Sequence, residues 1–175
     1  SGAAVRVERC DAGEAAHARR LVAATRAPSI DGVWHAAGVL ADGVLPAQTA
    51  ASLARVAAPK AHGAWALQLA SATAALRACA LFSSVAALLG GAGQANYSAA
   101  NACLDALGTC RRANAQAGVS VQWGAWAEVG MAARGAASER MAAMEAASGF
   151  GRIGLAQGVA ALAAAVQPGG PAVLG

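Results

Sequence analysis

Short apolar runs, each closed by a glycine, a serine or a polar turn, alternate along this chain with longer alanine-rich segments of helical period. Parallel neighbouring strands need a long crossover between them, and a helix is the usual one, so this rhythm points to parallel strands joined by helices. The runs read in order as follows. Val5–Val7 is a short strand ending at Cys10 and Asp11, and Glu14–Ala24 is a helix broken by Pro28 and Ser29. Gly32–Ala36 is a second strand, closed by Gly38 and followed by a loop through Asp42, Gly43 and Pro46. Ala50–Ala72 is helical, with Pro59 as an interruption that starts a new helix. Ala78–Phe82 is a third strand, Gly90, Gly91 and Gly93 mark a loop, and Ala95–Gln116 is a long helix. Val119–Trp123 is a fourth strand, Ala137–Ala147 an exposed helix, Leu155–Val166 another helix and Pro171–Leu174 a last strand. The expected class is α/β, a doubly wound parallel sheet, with no fixed-period repeat that would indicate a solenoid.

Composition narrows the function classes. The chain is 57% hydrophobic and only 13% charged. Either a face covered by another segment or the alanine bias itself accounts for so little charge. The net charge of +4 comes almost wholly from scattered arginines, without a basic run or aromatic–basic interleaving. A nucleic-acid surface is therefore not expected. No apolar run is long and clean enough to span a membrane, and no signal peptide is visible. Cys10, Cys79, Cys103 and Cys110 form no CxxC pair and no metal-binding spacing. They are expected to be small buried thiols in a reducing, cytoplasmic compartment, with Cys103 and Cys110 on one helix face. The chain opens on Ser1 rather than Met, as an excised piece of something longer would.

In open parallel sheets, ligands bind beyond the carboxyl ends of the strands. The residues there are Asp11, the segment Ala36, Ala37 and Gly38, then Ser83 and Ser84, then Gly124, Ala125 and Trp126. Two further residues stand out by scarcity, since Tyr97 is the only tyrosine and Lys60 the only lysine. Tyr97 lies thirteen residues after Ser84, near a helix start, and Asn101 lies one turn further along the same face. Such a set can do acid catalysis on a carbonyl. A phenol is a weak acid, with an ordinary pKa of about 10, and a neighbouring ammonium favours its anion. A serine hydroxyl can hold a carbonyl oxygen on which negative charge grows. The same residues also fit a plainer arrangement, a tyrosine at a helix start with a serine cap.

Four ordered stretches carry a family resemblance. They are His35–Ala36–Ala37–Gly38–Val39–Leu40; Leu81–Phe82–Ser83–Ser84–Val85–Ala86; Gly93–Gln94–Ala95–Asn96–Tyr97–Ser98–Ala99–Ala100–Asn101; and Trp123–Gly124–Ala125–Trp126–Ala127–Glu128–Val129–Gly130–Met131. Together they resemble the ketoreductase domain of modular polyketide synthases, in the short-chain dehydrogenase/reductase superfamily. The resemblance runs from Val5 to the C-terminal end. Most of the superfamily places a lysine four residues after the tyrosine. The polyketide and related fatty-synthase type has asparagine there and draws its lysine from an earlier helix, as with Asn101 and Lys60 here.

The resemblance implies a Rossmann-like fold and an NADPH-dependent reduction of a β-ketoacyl thioester held on the phosphopantetheine of an acyl carrier protein. Tyr97 would give the proton and Ser84 would hold the oxygen. Lys60 would lower the tyrosine pKa and help bind the nicotinamide ribose, and Asn101 would complete the relay. Asp11 matches the adenine contact, Ala36, Ala37 and Gly38 the adenosine ribose segment, and Gly124, Ala125 and Trp126 the nicotinamide end. Asp11 as a helix cap, and the small residues as close packing, are alternatives. For stereocontrol, the subtype that makes the D-alcohol carries Leu-Asp-Asp where this chain has Leu40–Ala41–Asp42. The opposite subtype has tryptophan where this chain has Leu89. Gln94, beside the tyrosine, joins Asp42 and Leu89 as a candidate for substrate and stereochemical control, and a D-type reductase is expected.

No GxGxxG-like segment precedes Val5. By the family pattern, residues 1–175 are then a partial, N-terminally truncated ketoreductase domain that starts at the third strand. The first two strands and the Gly-rich phosphate loop are expected to lie in a missing N-terminal half, one of the expected partners beside other synthase domains. Two other readings stay open. One is a free-standing dehydrogenase on a small ketone or alcohol, which the Lys60–Asn101 exchange disfavours; the other is a non-catalytic fragment.

Overall fold

A computed structural model describes residues 3–25, 30–129, 149 and 151–175. The helix expected over Ala137–Ala147, the break at Pro28 and Ser29, and Gly130 and Met131 of the last motif lie outside the described residues.

Four parallel strands form one sheet in the order β1 (Gly32–His35), β2 (Ala78–Ser84), β3 (Val119–Trp123) and β4 (Val173–Leu174). Between β1 and β2 run a 3-10 turn (Leu45–Ala47), α2 (Ala50–Ala57), a π turn (Ala58–His62) and α3 (Gly63–Ala70). The short α4 (Ala86–Leu89) and the long α5 (Ala95–Ala113) connect β2 to β3, and α6 (Leu155–Ala165) precedes β4. Helix α1 (Ala15–Ala23) lies ahead of β1 and packs on α3.

Strand alternation sorts the core into two faces. Cys79 and Leu81 of β2 pack with Ala64 of α3 and Leu104 of α5. Ala80, with Val119, Val121 and Trp123 of β3, packs with Ala165 of α6. Helices therefore cover both faces, as in a Rossmann-like doubly wound sheet. Trp34 pairs with Ala80 and so points to the α6 side, yet it stays 53% exposed because α6 lies over β3 rather than β1.

Helix α5 contacts both β2 and β3. Its buried residues include Tyr97, Asn101, Leu104, Gly108 and Arg111, a seam stepping by four and three residues. Cys103 and Cys110 each precede a seam residue by one position, about 100° round the helix, and both are exposed. Cys10 is exposed too, so Cys79 alone fits the expectation of buried thiols.

Val5–Val7 is not a strand. Both valines are more than 80% exposed and pair with nothing in the sheet. An apolar alternation becomes a strand only where a neighbour accepts its hydrogen bonds. Pro59 also acts differently from expectation, because the helix runs through it. Proline has no N–H to give the carbonyl four residues back, and its ring crowds that carbonyl. The backbone here widens into the π turn Ala58–His62 and then resumes as α3. Thr49 and Ser52 start this helical run with a reciprocal capping box.

Candidate active site

The π turn places Lys60 beneath the carboxyl ends of β1 and β2, where it is 3% exposed. Its ammonium donates to Asn101 Oδ1 at 2.8 Å and to the Phe82 carbonyl at 2.9 Å. It also lies 5.1 Å from the centroid of the Tyr97 ring. Asn101 is fully buried, and its Nδ2 donates to the Tyr97 carbonyl one turn back at 2.8 Å. Ser84 closes β2, half-buried, and its Oγ accepts the Ala86 N–H at 3.2 Å. Tyr97, Ser84, Lys60 and Asn101, which come from three separate stretches of chain, thus form one polar group at the sheet edge where ligands of such folds bind.

Burial pushes the Tyr97 phenol above its ordinary pKa; side-chain hydrogen bonds to Asn101 and Ser84 pull it down, and the Asp42 carboxylate adds to the rise. Burial outweighs these two hydrogen bonds, so the net shift is upward. The phenol is therefore protonated at neutral pH, as a proton donor must be. Burial also brings the Lys60 ammonium from 10.5 down to about 8, against the pull of the Asp105 carboxylate. Asp105 itself is held by Ser120 Oγ at 2.6 Å and Gln122 Nε2 at 2.8 Å.

Residues 1–128 match the family described as the KR domain. The chain belongs to that family. It is 43% identical, over 175 residues, to the polyketide synthase GfsB of Streptomyces halstedii, covering 99% of this chain and 3% of that protein. A solved structure of A-type ketoreductases from a modular polyketide synthase is 33% identical with a TM-score of 0.83, covering 91% of this chain and 33% of that one. The ketoreductase from the first module of phoslactomycin biosynthesis in Streptomyces sp. HK803 is 34% identical with a TM-score of 0.82, covering 94% and 37%. This KR chain thus spans about a third of the ketoreductase structures it matches and a few per cent of the synthase. KR domains are oxidoreductases of the ketoreductase type, and their fold binds a nicotinamide cofactor.

The donor set of this KR chain fits the nicotinamide end of such a cofactor. An ammonium has three N–H groups, and the two acceptors above leave one for a ribose hydroxyl. Gly38 lies so close to the lysine stem that a Cβ there would come within 2.9 Å of Lys60 Cε. Ala36 is exposed, while Ala37, Gly38, Gly124 and Ala125 are half-buried, at the ends of β1 and β3. The Trp126 ring instead turns into the core, 4.9 Å from the Trp123 ring and against Gly158 of α6. Asp11 is exposed; its Oδ1 accepts the Gly13 N–H at 2.8 Å, a turn ahead of α1 rather than a cap on it. Asp42 lies beside Gln94, whose Nε2 approaches its Oδ1 at 3.5 Å, and Leu89 on α4 is 62% exposed.

Residue-type reasoning passed over Asn96. It is buried; its Nδ2 donates to the Ala41 carbonyl at 2.8 Å and its Oδ1 accepts the Tyr97 N–H at 2.7 Å. With the Gly43 N–H bonded to the Gly93 carbonyl at 2.8 Å, it ties the loop after β1 to the start of α5. Its place directly before Tyr97 was the available signal.

Proposed function

We propose that residues 1–175 form the catalytic portion of a ketoreductase domain that reduces a β-ketoacyl thioester to the β-hydroxyacyl thioester. The buried Lys60 ammonium, held by Asn101 Oδ1 and lying 5.1 Å from the centroid of the Tyr97 ring, carries this reading. The substrate rides on the phosphopantetheine of an acyl carrier protein in the cytoplasm. The other synthase domains, and the segment holding the phosphate loop, are the remaining partners. When bound, NADPH supplies hydride to the β-carbonyl carbon. Ser84 Oγ holds the carbonyl oxygen, and the Tyr97 hydroxyl gives that oxygen its proton. The charged Lys60 beside the ring stabilises the phenolate so formed, and Asn101 keeps the ammonium in place. Asp11, Ala36, Ala37 and Gly38 face the adenosine half of the cofactor, and Gly124, Ala125 and the main chain of Trp126 its nicotinamide end, the Trp126 ring being packed in the core.

The product is assigned as the D-alcohol. Asp42 is retained beside Gln94 at the mouth of the site, and Leu89 stands where the opposite subtype has tryptophan. Chiral analysis of the reduced thioester tests this, and mainly L-alcohol refutes it.

The reaction is tested by NADPH oxidation with a β-ketoacyl thioester, free and carrier-bound, for the wild type and Tyr97→Phe. General acids of this kind contribute about 10²–10⁴-fold, and a loss in that range is expected. An active Tyr97→Phe protein removes the assigned acid. A wild type that neither binds NADPH nor turns over favours the reading as a non-catalytic fragment.

A further inference from the structure

His35 ends β1 and is 3% exposed, behind the site rather than in it. Its Nε2 lies 3.0 Å from the main-chain carbonyl of Lys60. A carbonyl can only accept, so Nε2 carries the hydrogen. Gly63, just past the π turn, gives the ring its seat: a Cβ there would come within 3.2 Å of His35 Cε1 and 2.7 Å of the Ala12 carbonyl. The Lys60 carbonyl also accepts from the Gly63 N–H, so it is shared between the helix and the imidazole.

We propose that His35 is a positioning residue: its Nε2–H, donated to the Lys60 carbonyl, holds the π turn in the register that points the Lys60 ammonium at Asn101. A π turn holds one residue more than the α turn it replaces and is rare without a reason. Reverting to the α register turns every later side chain by about 100°, which would take the ammonium off its partners. Pro59 loosens the helix at this point, and His35 supplies a donor that selects the wider turn. The groups around the ammonium come from every packed element: Tyr97, Asn101 and Asp105 on α5, the Phe82 carbonyl on β2, and His35 on β1 through the backbone. Burial lowers the imidazole pKa and the lysine charge adds to the fall, against hydrogen bonds to the Lys60 and Pro59 carbonyls, so the ring is neutral and turns its single N–H to this stretch of the π turn, with the Lys60 carbonyl at 3.0 Å.

Lys60 is the only lysine, so lysine labelled with ¹³C at Cε gives one resonance, and its shift against pH reads this ammonium directly. The proposal rests on the ketoreductase reading for its catalytic meaning, but this measurement does not. In the 175-residue wild type the midpoint is expected near 8. His35→Leu, which fills the space without a donor, is expected to raise it by about one unit or more towards the ordinary value of about 10.4. His35→Gln, which restores a donor, is expected to return it to the wild-type value. A folded His35→Leu chain with the wild-type midpoint, or a folded His35→Gln chain that fails to restore it, overturns the proposal. Amide spectra report folding, and if His35→Leu unfolds, His35→Asn replaces it, because its shorter amide stops short of the carbonyl. A folded His35→Asn chain at the wild-type midpoint is equally fatal. Where reduction is measured, His35→Leu is expected to lower kcat about tenfold or more with the thioester KM unchanged. A displaced midpoint in a chain that reduces nothing even when the phosphate-loop segment is supplied would sink the ketoreductase reading and leave the coupling of His35 to Lys60 standing.

Discussion

Lys60 and Asn101, 41 residues apart in sequence, meet at 2.8 Å through the ammonium and the amide oxygen. The amide nitrogen is committed to the Tyr97 carbonyl, so only one orientation of the side chain satisfies both neighbours. A flipped amide would set its NH₂ against the ammonium.

Replacing Asn101 therefore disturbs two things at once. Asn101→Ala leaves the buried ammonium short of an acceptor, and an unmet buried polar group costs about 1–3 kcal/mol, more when charged. Urea unfolding is expected to show a loss of at least that size. Asn101→Asp keeps the shape and adds a negative charge, so it is expected to raise the Lys60 pKa above about 8. An unchanged Lys60 titration in Asn101→Asp would mean the two groups do not meet.

The buried ammonium also sets an alkaline stability window. The folded-state pKa of Lys60 is about 8 and its ordinary value 10.5. Between those two pH values the unfolded chain holds a proton that the folded chain has released, so stability rises with pH. The gain approaches roughly 3 kcal/mol across the window. Tyr97 and Cys79, both pushed up by burial, act in the opposite sense at the alkaline end. Lys60→Met isolates the lysine. Wild-type stability minus that of Lys60→Met is expected to climb from pH 8 to 10.5 and to stay flat below pH 8. A flat difference throughout would place the ammonium in solvent.

Gly38 tests the close packing around the same side chain. A Cβ there meets Lys60 Cε, part of a stem pinned at its far end by Asn101 and Phe82. Gly38→Ala is expected to push the ammonium off line, lowering kcat about tenfold or more, and to lower the unfolding midpoint in urea as well, because the buried ammonium is drawn off its acceptors. A Gly38→Ala protein with full activity would show that the stem has room to yield.

The sheet was largely legible before the structure was known, and the reason is physical. β2 and β3 are buried on both faces, so they appear as apolar runs that mark their own limits, and Val119–Trp123 was read to the residue. Val5–Val7 has the same local pattern but no sheet edge to join, and pairing is not written in a strand's own residues. The seam Tyr97, Asn101, Leu104, Gly108 and Arg111 was open to reading, and it would have put Cys103 and Cys110 outside. The candidate site residues stand out through scarcity and motif order. How Lys60 reaches Asn101 was not readable, because a π turn leaves only a proline as its trace. The hydrogen-bond partners of Asn96 and His35 are set by tertiary contacts alone.

On the opposite face of the sheet, Gly158 of α6 lies against the Trp126 ring so closely that a Cβ would enter the ring's van der Waals envelope. That ring stacks at a tilt on Trp123, itself against Phe82, so three aromatic residues form a wall between β2, β3 and α6. A packed wall of this kind has no slack, and one added methyl group must move α6 or the ring. Gly158→Ala is expected to cost about 1–3 kcal/mol in urea unfolding, the usual penalty of overpacking. Adding Trp126→Phe, which shortens the ring, is expected to recover part of that loss, because the two residues touch and their effects do not add. Simple addition of the two penalties would show that Gly158 is needed for some reason other than the Trp126 ring.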